Sequence, residues 1–301
     1  MNTPPSAQTP ERILQRLDWQ VIRRLDGLLQ GDYRSLFYGY GVDLADLRDY
    51  HPGDDIRYID WNVTARMDTP YVRQYVEERD ITAWFLLDLS PSMDFGPLQR
   101  LKRAVLVDVV ATLTRLLTRH GNRVGAMFYG SRVERTIPAR GGRIQVLRLI
   151  NELLRQPQLA RAPATNLSPL LDAGLHGIRR RSLIVIISDF ISEPGWERSL
   201  SLLTQRHEVV AIRVWDPREA TLPDIGPILM EDAETGEHLY VDTHDRHFRQ
   251  RFQDAARRRE AALQEAFTRA GVDALTLSTE EDLVRAIVRF AALREQRRRR
   301  L

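Results

Sequence analysis

The sequence predicts an α/β protein: a mainly parallel β-sheet with helices on both faces, preceded by a small, irregular β-rich subdomain. Three observations predict it. From Ile81 onward, short apolar runs alternate with stretches of helical periodicity. The runs are apolar throughout rather than alternating, as strands buried on both faces are. Strand–helix–strand order implies right-handed crossovers and therefore parallel neighbours.

Taken in order, residues 1–10 are polar, contain three prolines and read as a disordered tail. Ile13, Leu14, Leu17, Val21, Ile22, Leu25 and Leu28 recur at helical spacing, which predicts an amphipathic helix over residues 11–30. Residues 31–80 mix aromatics, glycines and aspartates without helical period, and Tyr71–Val76 alternates like a strand. The main domain spans 81–293. Ala83–Leu87 is a buried strand ending in Asp88, followed by a helix from about Leu98 to His120 and strands at Arg123–Tyr129 and Val133–Ile137. Helices near 144–154 and 168–179 precede Leu183–Ile187, the strongest strand, which ends in Ser188-Asp189. A helix, a strand at Val209–Trp215, a hairpin turning at Glu234-Thr235-Gly236, a helix at 245–270, a strand at 274–277 and a helix at 280–293 complete it. Residues 294–301 form a basic tail, and its run Arg297–Arg300 reads as solvated.

Composition bounds the chemistry. With no cysteine among 301 residues, disulfides, thiolate zinc sites and cysteine nucleophiles are excluded. Net charge is +3, from 44 basic and 41 acidic residues, which argues against a nucleic-acid partner. Lys102 is the one lysine in an otherwise arginine-based set. Met1–Pro5 has no secretory character and no apolar run reaches the ~18–20 residues of a membrane span. The expectation is a cytoplasmic protein with no integral membrane segment.

In a sheet of this kind, ligands gather at the carboxyl ends of strands, near the point where strand order reverses. Two strands end in an aspartate, Asp88 and Asp189, and the first continues as Asp88-Leu89-Ser90-Pro91-Ser92. Thr165 lies in the polar loop Ala164-Thr165-Asn166 before a helix. Carboxylate and hydroxyl donors suit a hard ion such as Mg²⁺, with Mn²⁺ as the alternative. Taken singly, Ser90 before Pro91, or Thr165 before its helix, is better explained as a cap. Their joint occurrence at matching strand ends favours a metal site.

The order Asp-x-Ser-x-Ser, then Thr, then a strand-end Asp resembles the metal-ion-dependent adhesion site of Rossmann-like von Willebrand factor A domains. The resemblance covers residues 80–290. It implies that Ser90, Ser92 and Thr165 coordinate the ion directly, that Asp88 and Asp189 act mostly through water, and that a partner's carboxylate supplies the last ligand. The stretch Gly39–Tyr50, then Pro52–Trp61, then Ala65-Arg66, is similar to the signature of domain-of-unknown-function family fifty-eight. That bacterial family is typically encoded beside MoxR-type AAA+ ATPases, so the resemblance implies such an ATPase as partner. Many members carry two N-terminal membrane helices, which this chain lacks. Arg48, Arg57 and Arg66 beside Asp49, Asp54, Asp55 and Asp60 offer ion pairs that pin the subdomain, and Tyr58 and Trp61 read as packing residues.

Other chemistries are poorly served. His244 and His247 lack metal-ligand context and read as surface residues. No nucleophile elbow and no phosphate-binding P-loop is present. A phosphotransferase using Asp88 as nucleophile would want an acid two residues on, where Ser90 stands. The expected function is therefore a non-catalytic, metal-dependent protein-interaction module. A metal-dependent hydrolase or phosphotransferase is the alternative, and a nucleic-acid-binding protein is the less favoured one.

Overall fold

The computed structural model describes residues 9–28, 46–51, 54–56, 59–67, 69–74, 81–97, 100–159, 164–232 and 234–298. The chain divides into two compact units, one of residues 1–36 with 81–301 and one of residues 37–80.

The larger unit is built on a six-stranded sheet. Its strands are β3 (Thr82–Asp88), β4 (Arg123–Tyr129), β5 (Val133–Arg140), β6 (Leu183–Ser188), β7 (Glu208–Trp215) and β10 (Asp273–Ser278), in the order β10-β7-β6-β3-β4-β5. The four pairings from β10 to β4 are parallel, and β5 alone runs antiparallel, at one edge. β6 is buried along its whole length, and β3 and β7 nearly so, which explains their unbroken apolar composition. From β3 the chain moves outward to β4 and β5, then returns to β6 on the other side of β3. The order therefore reverses between the carboxyl ends of β3 and β6, where Asp88 and Asp189 lie.

Successive side chains of a strand feed opposite layers. Leu86, Ile184, Ile186 and Ala211 join one core with α6 (Ser168–Gly177), α7 (Trp196–Arg206) and α8 (Arg246–Ala270). The opposite layer holds α4 (Lys102–Arg119) and α5 (Gly142–Arg155), packed on each other. α4 is buried nearly all round because the N-terminal helical segment covers its outer side. That segment is α1 (Pro10–Leu17), a π-helical turn Asp18–Ile22 and α2 (Arg23–Leu28), capped by Thr9. Its buried Ile13, Leu14, Leu17, Val21, Ile22 and Leu25 are among those the periodicity selected, whereas Leu28, at the end of α2, is 60% exposed. Ion pairs Arg16–Asp108, Arg115–Asp18 (3.2 Å) and Arg119–Asp26 (3.1 Å) rim the contact.

The predicted hairpin is present as β8 (Pro227–Glu231) and β9 (His238–Asp242), paired only with each other. The last helix, α9 (Leu283–Arg298), runs beyond the expected limit at 293. Arg294 is thus helical and buried, not part of a basic tail, because it bridges Glu208 (2.7 Å) and Asp273 (2.8 Å). Residues 1–8, within the expected N-terminal tail, and 299–301 lie outside the described residues.

The smaller unit pairs β1 (Asp46–Asp49) with β2 (Tyr71–Gln74) in antiparallel register around α3 (Trp61–Met67). Asp60 caps α3, its Oδ1 accepting from Val63 N at 3.3 Å, and Asp54 Oδ2 accepts from His51 N at 2.9 Å. Trp61 corrects the sequence reading. It stands at the first position of α3 and is 69% exposed. Tyr58 and Arg57 lie outside the described residues, as do Pro52 and Gly53.

Candidate metal centre

Five sequence-selected residues converge at the carboxyl edge of the sheet, and all are buried: Asp88, Ser90, Ser92, Thr165 and Asp189 expose no more than 6% of their surface. β3 delivers Asp88, and the chain then turns into a short 3₁₀ helix, Pro91–Asp94, with Pro91 at its first position. Asp88 Oδ1 accepts from Ser90 N (3.0 Å), which folds the loop back on the strand end. That turn sets the Ser90 and Ser92 hydroxyls 3.2 Å apart. Ser90 precedes the helix as expected of a cap, but its side chain makes no capping hydrogen bond, so the hydroxyl stays with the site.

At the neighbouring strand end, Ser188 Oγ donates to Asp88 Oδ2 (2.6 Å) and accepts from Phe190 N (2.8 Å). Phe190 has φ of 57°, a left-handed conformation that costs a non-glycine residue about 1–2 kcal/mol. Its ring, edge-on to Phe267 (4.9 Å) and tilted against Trp196 (5.5 Å), holds it there. The sharp turn leaves Asp189 directed inward, with Oδ1 accepting from Ile191 N (2.9 Å). Thr165 is placed by its loop, which is tied to the segment after β6: Glu193 N donates to Thr165 O (2.8 Å) and Leu167 N to Ser192 Oγ (3.0 Å).

Three residues of the site escaped sequence reasoning. Lys102, at the start of α4, is 1% exposed, and its Nζ donates to Asp189 Oδ2 at 2.7 Å and to Glu219. Glu219 comes from the short 3₁₀ helix Pro217–Glu219 after β7. Glu234, at the tip of the β8–β9 hairpin, accepts through Oε1 from Thr165 Oγ1 (2.7 Å) and Ser92 N (3.2 Å). The trace of Lys102 in the sequence is its rarity. Glu234 carries no motif.

The electrostatics identify what the site lacks. Burial, then the charge of Asp189, raises Asp88 to about 6, against the lowering effect of hydrogen bonds from Ser188 and Ser90. Its hydrogen-bond partners are neutral. Burial likewise raises Glu234, partly offset by Thr165 and Ser92, and its Oε2 is buried without a partner. Asp189 and Glu219 thus share one ammonium, with Arg213 acting on both at longer range, while the charge of Asp189 bears on Asp88 and Glu234 without a cation of their own beside them. Buried charges of one sign require compensation.

A hard divalent cation fits this deficit. Asp88 has a carboxylate without an ionic partner, Glu234 has an orphaned oxygen, and Ser90, Ser92 and Thr165 supply neutral oxygen donors. The described residues bring no three carboxylates or imidazoles close enough to hold an ion by themselves, so the hydroxyls would be essential donors. Asp189 is the member already engaged by an internal cation. His244 and His247 lie elsewhere, on the surface: His244 Nδ1 meets Asp224 Oδ1 at 2.5 Å, and His247 N is held by Asp245.

Comparison with known proteins places the chain. A family model described as "Protein of unknown function DUF58" matches residues 46–262. The uncharacterized proteins Rv1480 of Mycobacterium tuberculosis and Mb1516 of Mycobacterium bovis are each 37% identical over 283 residues, covering 94% of this chain and 89% of theirs. Among solved structures, the conserved hypothetical protein BatB of Bacteroides thetaiotaomicron is similar over 72% of this chain and 99% of its own, at 15% identity and a TM-score of 0.46. The manganese-loaded TRAP protein of Plasmodium vivax is similar over 44% of this chain and 57% of its own, at 16% identity and a TM-score of 0.35. The fold is the α/β one expected, with a mostly parallel six-stranded sheet. By the family match and the near-full-length mycobacterial relatives, the chain belongs to the DUF58 family.

Proposed function

We propose that this protein is a non-catalytic, metal-dependent protein-interaction module. The observation that carries the reading is the oxygen-only cluster of Asp88, Ser90, Ser92 and Thr165 at the strand-order reversal, where buried negative charge exceeds its internal counter-ions. Mg²⁺ or Mn²⁺ held there would present an open coordination position to an incoming carboxylate. The chain's own residues hold the hydroxyl donors in place, through the Ser90 N–Asp88 turn and the Thr165 O–Glu193 N tie, and exclude bulk water by burial. By family resemblance the partner is a MoxR-type AAA+ ATPase, acting in the cytoplasm in assembly or maturation of another complex. One carboxylate–metal contact would fix specificity, and surrounding surface would supply most of the affinity. No helix among the described residues is long and apolar enough to cross a membrane.

The test is co-purification of the chain with a MoxR-type ATPase from the same genome, in Mg²⁺ and then in EDTA, repeated with Asp88→Ala. Binding lost in EDTA and in the variant is the expected result, and binding that survives both removes the metal bridge. A phosphotransferase using Asp88 would instead show turnover above a Ser90→Ala control, and a nucleic-acid binder would show steeply salt-dependent affinity for DNA or RNA.

A further inference from the structure

The candidate donors are too buried for a partner's side chain to reach them as the protein stands: none of the five is more than 6% exposed. What covers them in part is the tip of the β8–β9 hairpin, and the tip carries a carboxylate. We infer that Glu234 is an internal ligand for the metal site, occupying in cis the position a partner's carboxylate would take, so that docking requires the β8–β9 hairpin to move aside. The inference rests on the metal-site reading above and adds to it the means by which the site is closed.

The geometry of the hairpin supports this. Glu234 Oε1 bridges the two loops that bear hydroxyl donors, at 2.7 Å from Thr165 Oγ1 and 3.2 Å from Ser92 N. Its Oε2 is buried and unpartnered. The turn behind it is tied by its own hydrogen bonds: Asp232 Oδ1 accepts from Glu234 N (3.0 Å) and Thr235 N (2.8 Å), and Gly236 has φ 72°. The hairpin as a whole is loosely held. Among the described residues its strands pair with no other strand and make their extended contacts only with each other. Leu229, Leu239 and Tyr240 are exposed, and Val241 is the buried side chain near its root.

The balance of forces suits a removable plug. Two hydrogen bonds hold the carboxylate in place, and the cost of one buried, unpartnered oxygen offsets part of that hold. Glu234 also enters a region already rich in carboxylates, where Asp189 disfavours its charge. A cation at the site would reverse that repulsion and tighten the hairpin.

The experiment uses the full chain, with Mn²⁺ as probe. Calorimetric Mn²⁺ titration and amide hydrogen exchange over residues 225–243 would be run on wild type, Glu234→Gln and Glu234→Ala, in EDTA and in MnCl₂, with matched circular dichroism to verify folding. The expected result is Mn²⁺ binding weakened at least about tenfold in both variants, as for loss of other metal-supporting groups. Mn²⁺ should also slow hairpin exchange in the wild type only. Wild-type Mn²⁺ binding that neither variant weakens, with hairpin exchange indifferent to the metal, overturns the internal-ligand role and leaves the metal site standing. A wild type that binds no Mn²⁺ removes the metal site itself and this role with it.

Discussion

The two edges of the central sheet both bury polar groups, and they do so differently. At the amino edge the charges close on one another: Arg294 bridges Glu208 and Asp273, and Arg297 adds a 2.7 Å contact to Asp273. Neutral groups there are mostly matched too, Asn122 Oδ1 accepting from Ile81 N (3.0 Å) and Ser182 Oγ donating to Arg180 O (2.8 Å). At the carboxyl edge, Lys102 answers Asp189 and Glu219, while Asp88 is left with neutral partners and Glu234 with an orphaned oxygen. Buried polarity alone therefore does not mark a site. Uncompensated charge of one sign, at the strand-order reversal, does.

The largest effect should come from breaking the fully buried Lys102 bridge at the carboxyl edge. Lys102→Met removes a cation of matching length and leaves Asp189 and Glu219 facing each other in a buried setting. Loss of one partner from a buried pair costs about 3–5 kcal/mol, to be read from the urea midpoint of the metal-free protein. An unchanged midpoint would mean that the ammonium is not what balances these carboxylates. Next in size is the response at Asp88. An ion bound at a hundred times its dissociation constant stabilises the fold by about 2.7 kcal/mol. Asp88→Asn keeps an acceptor for Ser90 N and removes a fully buried charge. The metal-free variant should melt no lower than wild type, yet show no upward shift in Mn²⁺. A variant that still gains stability from Mn²⁺ would place the ion elsewhere.

The contrast also explains what could be read from sequence. β3, β4, β6 and β7 were legible because burial on both faces forces nearly unbroken apolar runs, and the ends at Asp88 and Ser188-Asp189 were legible because polarity returns abruptly there. Ser90 and Ser92 followed from their closeness to Asp88, and Thr165 from a polar loop at a matching position. Lys102, Glu219 and Glu234 were not legible as site residues, since they are brought in by separate elements, and charge pairing across such distances leaves no periodic trace. The hairpin itself was foreseen from its turn, but not the direction of Glu234. The arginines at 294 and 297 looked like a tail because a run of like charge reads as solvated; their acidic partners lie on β7 and β10, far away in the chain. Trp61 was misjudged because aromatic character suggests burial, whereas its place at the start of α3 leaves it in solvent. Nothing in the sequence accounts for the π-helical turn at Asp18–Ile22.

A smaller effect is expected on the compensated amino edge. Arg294→Met removes one cation from Glu208 and Asp273, but Asp273 keeps Arg297, and the two carboxylates are 22% and 26% exposed and can recover water. The cost should be about 1–2 kcal/mol, below the range for a fully buried pair, and metal response should be unaffected. If Arg294→Met proved as costly as Lys102→Met, the distinction between the two edges would fail on energetic grounds.

The subtlest test lies at His207, just before β7, where the amino edge has its own unmatched group. The ring is 4% exposed and both nitrogens lack partners. Burial first, then the charges of Arg206 and Arg181, hold its pKa below the ordinary 6.5, so the folded protein keeps it neutral. The unfolded chain takes up a proton as pH falls through about 6.5, and the folded chain does not follow until lower pH. Stability from this residue is thus fully present above pH 6.5 and declines as pH drops toward the folded value. Urea midpoints at pH 7.5 and 5.5 for wild type and His207→Leu isolate the contribution, because the other histidines are common to both. The wild type should lose more stability across that interval than the variant. Equal losses would show that the ring accepts its proton in the fold, and that the amino edge, like the carboxyl edge, can take up charge.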